Sequence, residues 1–305
     1  MKHNLDFISE LCKKLRFPEE ATACFEKMLG RLEHEDDFCE EFDDLLNEYL
    51  YPQPCGLDLA AEVLAGVAER YNANVYTLNF VFLLCCTPVT KERYDARGIS
   101  ESVFYDTMAD MRCKLLECME CKQVPGSFVP GWYDGFFSLN RFALGRFQFE
   151  HSTFGRDTYV TKQGLTLKKD TPVFGFHIPS SGISLTDEVR FDSYHRAYEF
   201  FKEELNGGVM VLKCSSWLLY AGNRNILPPG MNILRFMDDF ELLYSVDRED
   251  FGNAWRIFGR YAGLPAEELP EDTRLKKAFK ERLLRGEPVG DGFGIIVFDG
   301  EKIVK

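Results

Sequence analysis

An apolar run ends at His177-Ile178-Pro179 and is followed by Ser180-Ser181-Gly182 and, near Thr186, by the start of a helical pattern. A strand, a turn of small residues and a helix N-terminus can together offer backbone N–H groups to a pyrophosphate. Thr186 is placed to cap that helix, with Asp187 and Glu188 in its first turn. The turn holds one glycine, and the two acids would repel a phosphate nearby, so an ordinary strand-to-helix connection is the competing reading. His177, at the strand end, is either a base or a satisfied structural group. A second set alternates: Arg146, Gln148 and Glu150 with Phe147, Phe149 and His151. In a strand the first three share one face. That polar face could line a substrate pocket with Glu150 as a general base, or it could be the wet side of a strand whose aromatics fill the core. The third is Cys214, where Val211-Leu212 gives way to Lys213-Cys214-Ser215-Ser216-Trp217. A thiol there is a nucleophile, a proton donor or an inert buried group.

These residues must be held by elements that the hydrophobic spacing predicts. Up to about residue 125 the period is helical. Leu5, Ile8, Cys12 and Leu15 share a face, and Pro18 opens the next helix. The acidic stretch 34–44, with Phe38, Phe42, Leu45, Leu46 and Tyr49 at helical spacing, predicts an amphipathic helix with a solvated acidic side. Pro52, Pro54 and Gly56 mark a turn before a helix over 57–71. A helix over 75–86 is expected to stop at Thr87-Pro88. Ser100 should cap a helix reaching about residue 122, on which Asp106, Thr107 and Asp110 lie along one side, read as solvated. Beyond Val124-Pro125-Gly126 aromatic residues crowd in and alternation appears. Strands are predicted over 145–150, 172–178, 208–214, 240–246 and 293–298, and helices over 187–205, 251–261 and 272–285. The domains expected are 1–125, all-helical, and 126–305, mixed α/β.

The 305 residues are enough for two domains with cores of their own, and 45% hydrophobic with 28% charged is a globular balance. A net charge of -13 argues against a nucleic-acid partner or an anionic membrane, both of which need a basic surface. No apolar run approaches the ~20 residues of a membrane span. The first residues lack the apolar centre of a signal peptide, and a cytoplasmic location is expected. The ten cysteines are then expected as thiols. Cys118 and Cys121 form a C-x-x-C pair, but no second pair completes a zinc site, so no metal is expected.

Several blocks occur together in one order. They are Gly98-Ile99-Ser100 with Asp106-Thr107-x-x-Asp110, Arg141-x-x-x-Gly145-Arg146-Phe147-Gln148-Phe149-Glu150, His177-Ile178-Pro179, Cys214-x-Ser216-Trp217-Leu218-Leu219, Leu227-Pro228-Pro229-x-x-Asn232-Ile233-x-x-Phe236, and Leu269-Pro270-x-Asp272-Thr273-Arg274-Leu275. In them the chain resembles the prokaryotic acyltransferase-domain proteins, which join a helical N-acyltransferase N-terminal domain to a GNAT-like C-terminal domain. The resemblance spans nearly the whole chain. It implies an all-helical front followed by an α/β domain with a central, mostly antiparallel sheet. It also implies acetyl-CoA or another acyl-CoA as co-substrate, and a small-molecule amine acceptor that attacks the thioester directly. By this resemblance Ile178, Pro179, Ser180, Ser181, Gly182 and Ile183 form the CoA side. Glu150 or His177 is the base, and Cys214 or Ser216 donates a proton to the thiolate. The usual phosphate-loop pattern, Arg/Gln-x-x-Gly-x-Gly/Ala, is absent from 179–185. Two other readings stay open: a non-catalytic GNAT-like binding or scaffold protein, and a thiol hydrolase using Cys214 and His177.

Overall fold

A computed structural model describes residues 4–51 and 56–304; Pro52 and Pro54 lie outside the described residues. The chain divides into two compact units that meet at Phe142/Ala143.

The first unit is built on six helices, α1 (Leu5–Lys14), α2 (Glu19–His34), α3 (Asp36–Leu50), α4 (Leu57–Arg70), α5 (Val75–Ala96) and α6 (Glu101–Lys122). α3 buries Phe38, Phe42, Leu45, Leu46 and Tyr49, the stripe expected of it. α5 is the central rod: Leu78 and Phe80 to Cys86 are all buried, so it is apolar on every side. The expected stop at Pro88 is corrected, because α5 runs through it to Ala96. Proline removes the N–H that would bond Leu84 O, and the Thr87 hydroxyl donates to that carbonyl at 2.6 Å instead. Ser100 caps α6 as expected, accepting from Val103 N. The solvated side foreseen on α6 holds for Asp106, which is exposed, and is corrected for Thr107 and Asp110, which are buried; Trp132 Nε1 donates to Asp110 at 3.0 Å.

Residues 126–142 belong by their contacts to this helical unit, whereas the sequence placed the boundary at 125/126. The reason lies in a short helix, α7 (Asp134–Phe137). Asp134 accepts the Leu57 N–H at 3.0 and 3.1 Å and the Tyr49 hydroxyl at 3.1 Å, capping α4 from a distance where Gly56 has no side chain to do so.

The second unit centres on a six-stranded sheet in the order β1-β2-β5-β6-β8-β7. Its strands are β1 (Arg141–Leu144), β2 (Phe147–Thr153), β5 (Pro172–His177), β6 (Met210–Ser216), β7 (Glu241–Arg248) and β8 (Val289–Phe298). A two-stranded hairpin, β3 (Tyr159–Val160) with β4 (Thr166–Leu167), interrupts the order; neither it nor β1 was foreseen. β2–β5, β6–β8 and β7–β8 pair antiparallel, and β5–β6 pair parallel. α8 (Asp187–Phe200) follows β5, and Thr186 caps it as expected. Against one sheet face lie Tyr194 of α8 and Phe236 of α10 (Asn232–Asp238), with ring centroids 5.7–6.1 Å from those of Phe147 and Phe176. α9 (Asn223–Ile226), α11 (Trp255–Phe258) and α12 (Arg274–Leu284) gather around a separate small core of Leu227, Ile257, Phe258, Leu269 and Phe279. Among the described residues no helix is long and apolar enough to cross a membrane.

Candidate functional site

Cross-strand register decides which side chains can meet. Gln148 pairs with His177 and Glu150 with Gly175 between β2 and β5; Gly175 pairs in turn with Lys213 of β6. Partners in register share a face, so Gln148, Glu150, His177 and Lys213 stand on one side of the sheet. Phe147, Phe149, Phe174 and Phe176 stand on the other, in the core. The phenylalanines of residues 147–150 therefore fill the core, and Gln148 and Glu150 share the opposite face. Arg146 does not belong to that row, because it sits in the turn before β2.

Glu150 and His177 come together: His177 Nε2 lies 3.0 Å from Glu150 Oε1, with both side chains mostly buried. The contact depends on Gly175. A Cβ at that position would fall 2.7 Å from Glu150 Cγ and 2.8 Å from its Oε1, so the carboxylate arm runs across the bare glycine toward His177. On the far side of Gly175 stands Lys213, whose Nζ donates to Thr153 O at 2.6 Å. Burial lowers the Lys213 ammonium below the usual lysine value; Glu150 opposes that shift and Arg156 adds to it.

β5 and β6 run side by side only at Phe174↔Leu212 and Gly175↔Lys213. Phe176–His177 and Cys214–Ser216 lie beyond those two pairs, so the β5–β6 register ends beside His177 and the strands part there. The loop from Ile178 leaves this opening. Ser180, Ser181, Gly182, Ile183 and Ser184 are exposed, and Gly182 adopts φ +75, which glycine tolerates. Arg146 holds the loop from beneath, with Nη1 donating to Pro179 O at 2.8 Å and Nε to Ile183 O at 2.9 Å. Arg190 donates to Leu185 O at 2.7 Å. Asp187, one of the two acids expected to repel phosphate, lies 3.0 Å from Arg190 and 3.8 Å from Arg235.

Cys214 and Ser216 are not brought to this face. Cys214 follows Lys213 by one residue and so points to the opposite side of the sheet from His177. Burial pushes its thiol up to about 12. A thiol that titrates there stays protonated at neutral pH and is neither nucleophile nor ready donor. The pairing of Cys214 with His177 in a thiol hydrolase is thereby corrected. Ser216 shares the Cys214 side and accepts the Leu218 N–H at 3.1 Å, capping a turn of 3-10 helix. In folded protein at pH 8, iodoacetamide should leave Cys214 unmodified over a period that fully labels it in urea; peptide mass mapping reads the difference.

Gly175, Lys213 and Arg190 were not singled out from sequence, and Arg146 was placed on the Glu150 face rather than under the loop. The alternation through 211–215 could have raised Lys213. Of the cavities, one of about 160 Å³ lies at the other end of β5 from His177, walled by Leu167, Val173 and Val211. It is apart from the Glu150–His177 pair.

The N-acyltransferase N-terminal domain model matches residues 6–139 and the GNAT-like C-terminal domain model residues 141–296. The chain belongs to the family that joins these two domains. No curated protein matches it. Among solved structures it is similar to an acyltransferase in complex with decanoyl-CoA and teicoplanin, at TM-score 0.69 and 21% identity, over 95% of this chain and 87% of that one. It is also similar to an acyltransferase in complex with decanoyl-CoA, at TM-score 0.62 and 23% identity, over 95% and 99%. A mutant acyltransferase in complex with octanoyl-CoA gives TM-score 0.68 and 21% identity, over 96% and 88%. At these identities the likeness is one of fold.

Proposed function

We propose that the chain is a CoA-dependent N-acyltransferase that passes an acyl group from acyl-CoA to a small amine by direct attack. The observation that carries this reading is the Glu150–His177 contact at the point where β5 and β6 part. Family membership and the acyl-CoA complexes of the structural neighbours support it. Acyl-CoA lies along the parting strands with its pyrophosphate over the loop 178–183. With Nε2 beside Glu150, the imidazole takes the amine proton at Nδ1, and the Glu150 carboxylate stabilises the imidazolium by its charge. The amine nitrogen bonds to the thioester carbon as the carbonyl electrons move to oxygen. The C–S bond then breaks, and the thiolate takes up the proton that the imidazolium returns, leaving His177 neutral for the next cycle. Backbone N–H groups at the separating strand ends are assigned to the transient oxyanion. The protein works in the cytoplasm, where acyl-CoA is supplied.

Calorimetry with CoA, acetyl-CoA and decanoyl-CoA tests the reading, with teicoplanin, the compound bound by one neighbour, as a first amine to try. Binding is expected; no heat at millimolar CoA would end the enzyme reading in favour of a non-catalytic GNAT-like scaffold. His177→Ala should lower turnover about 10²-fold or more, the usual scale of a lost general base, and Glu150→Gln somewhat less. Both should keep CoA affinity within about threefold. Unchanged turnover in both variants would remove them from the chemistry.

A further inference from the structure

We infer that Arg146 is a positioning residue for the CoA pyrophosphate, imposing from outside the loop the shape that the loop's own sequence does not encode. The inference rests on the acyl-CoA reading above. The loop lacks the phosphate-loop pattern and holds one glycine, so its sequence does not of itself encode the phosphate-loop shape. Arg146 supplies that direction. Arg146 is 8% exposed as a residue, and two of its N–H groups donate to the carbonyls of Pro179 and Ile183, which lie 33 and 37 residues further along the chain. Those carbonyls flank the bend at Gly182, where a Cβ would meet nothing within 4 Å. Arg190, 2% exposed and held by Asp239, takes the Leu185 carbonyl just beyond. Carbonyls at 179, 183 and 185 are thus all engaged by buried guanidinium groups, while residues 180–184 face solvent. A phosphate is repelled by carbonyl oxygens and held by N–H groups, so turning the former inward prepares the outer side of the loop for an anion.

The planar two-pronged geometry is essential, because one cation must span two oxygens four residues apart. Lysine keeps the charge but not the fork. The test compares wild type, Arg146→Gln and Arg146→Lys by calorimetry with two probes, CoA and decanoyl-pantetheine, which lacks the pyrophosphate. Far-UV circular dichroism and thermal midpoints serve as folding controls. Both variants should bind CoA about tenfold or more weakly, a loss of ~1.4 kcal/mol or more. Binding of decanoyl-pantetheine should stay within about twofold. Equal weakening toward both probes would make Arg146 a general structural residue and overturn the inference. Full CoA affinity in Arg146→Lys would overturn it too, by showing that charge alone suffices. If wild type binds decanoyl-pantetheine but not CoA, the pyrophosphate has no seat on this loop and the inference falls while thioester binding stands. If it binds neither, the acyl-CoA reading itself fails.

Discussion

Asp239→Ala should cost the protein about 3–5 kcal/mol of stability, the usual penalty for leaving one member of a buried ion pair alone. Asp239 accepts from Arg190 Nε at 2.6 Å and Nη2 at 3.2 Å, and from the Tyr194 hydroxyl at 2.9 Å. Arg190 and Tyr194 are both essentially inaccessible to water, so the variant takes the carboxylate from a buried phenol and leaves the guanidinium only Asp187, at its exposed end, and Leu185 O. The loss should appear in the denaturant midpoint of the second unit, followed by hydrogen exchange at β5 and β6 amides. Arg190→Met combined with Asp239→Leu removes the charges together and should recover much of the loss. A single variant within 1 kcal/mol of wild type would mean that water reaches the pair. Because Arg190 also holds Leu185 O, Asp239→Ala should loosen the loop before α8 along with the core.

What was legible in the sequence follows from which interactions are local. The caps at Ser100 and Thr186 depend on residues three positions apart and were read correctly. Alternation through 147–150 correctly separated Glu150 from the phenylalanines, because strand parity is a property of one strand. Parity says nothing about how one strand's faces align with another's. His177 and Cys214 both looked suitable for chemistry at strand ends, and only the register Gly175↔Lys213 puts them on opposite sides. Pro88 was misread for a related reason. A proline weakens a helix locally, but the buried apolar surface of α5 and the Thr87 hydroxyl outweigh it. Arg146 read as a strand residue on the Glu150 face because the alternating pattern begins one residue before the strand does. Its bonds to a loop more than thirty residues away have no signature in sequence spacing.

Gly175 is where that limit bears most on function. Glycine in a strand interior ordinarily costs about 0.5–1 kcal/mol relative to alanine, so Gly175→Ala would raise strand propensity at this position. Here the added methyl would occupy the space of Glu150 Cγ and Oε1, and the carboxylate must leave His177. CoA release from decanoyl-CoA in the presence of an amine should fall about 10²-fold, the scale expected when a catalytic group is displaced by about 1 Å. CoA affinity and the thermal midpoint should change little, since the methyl faces a side chain free to swing aside. A double-mutant cycle separates this from general damage to the sheet. In a Glu150→Ala background the obstruction disappears, and adding Gly175→Ala should lower the rate by less than about twofold. An equal drop in both backgrounds would mean that Gly175 acts on something other than Glu150. Should the cycle close as expected, the bare glycine between two strands is what sets the Glu150–His177 distance, and the reactive pair is a product of register rather than of either strand's own sequence.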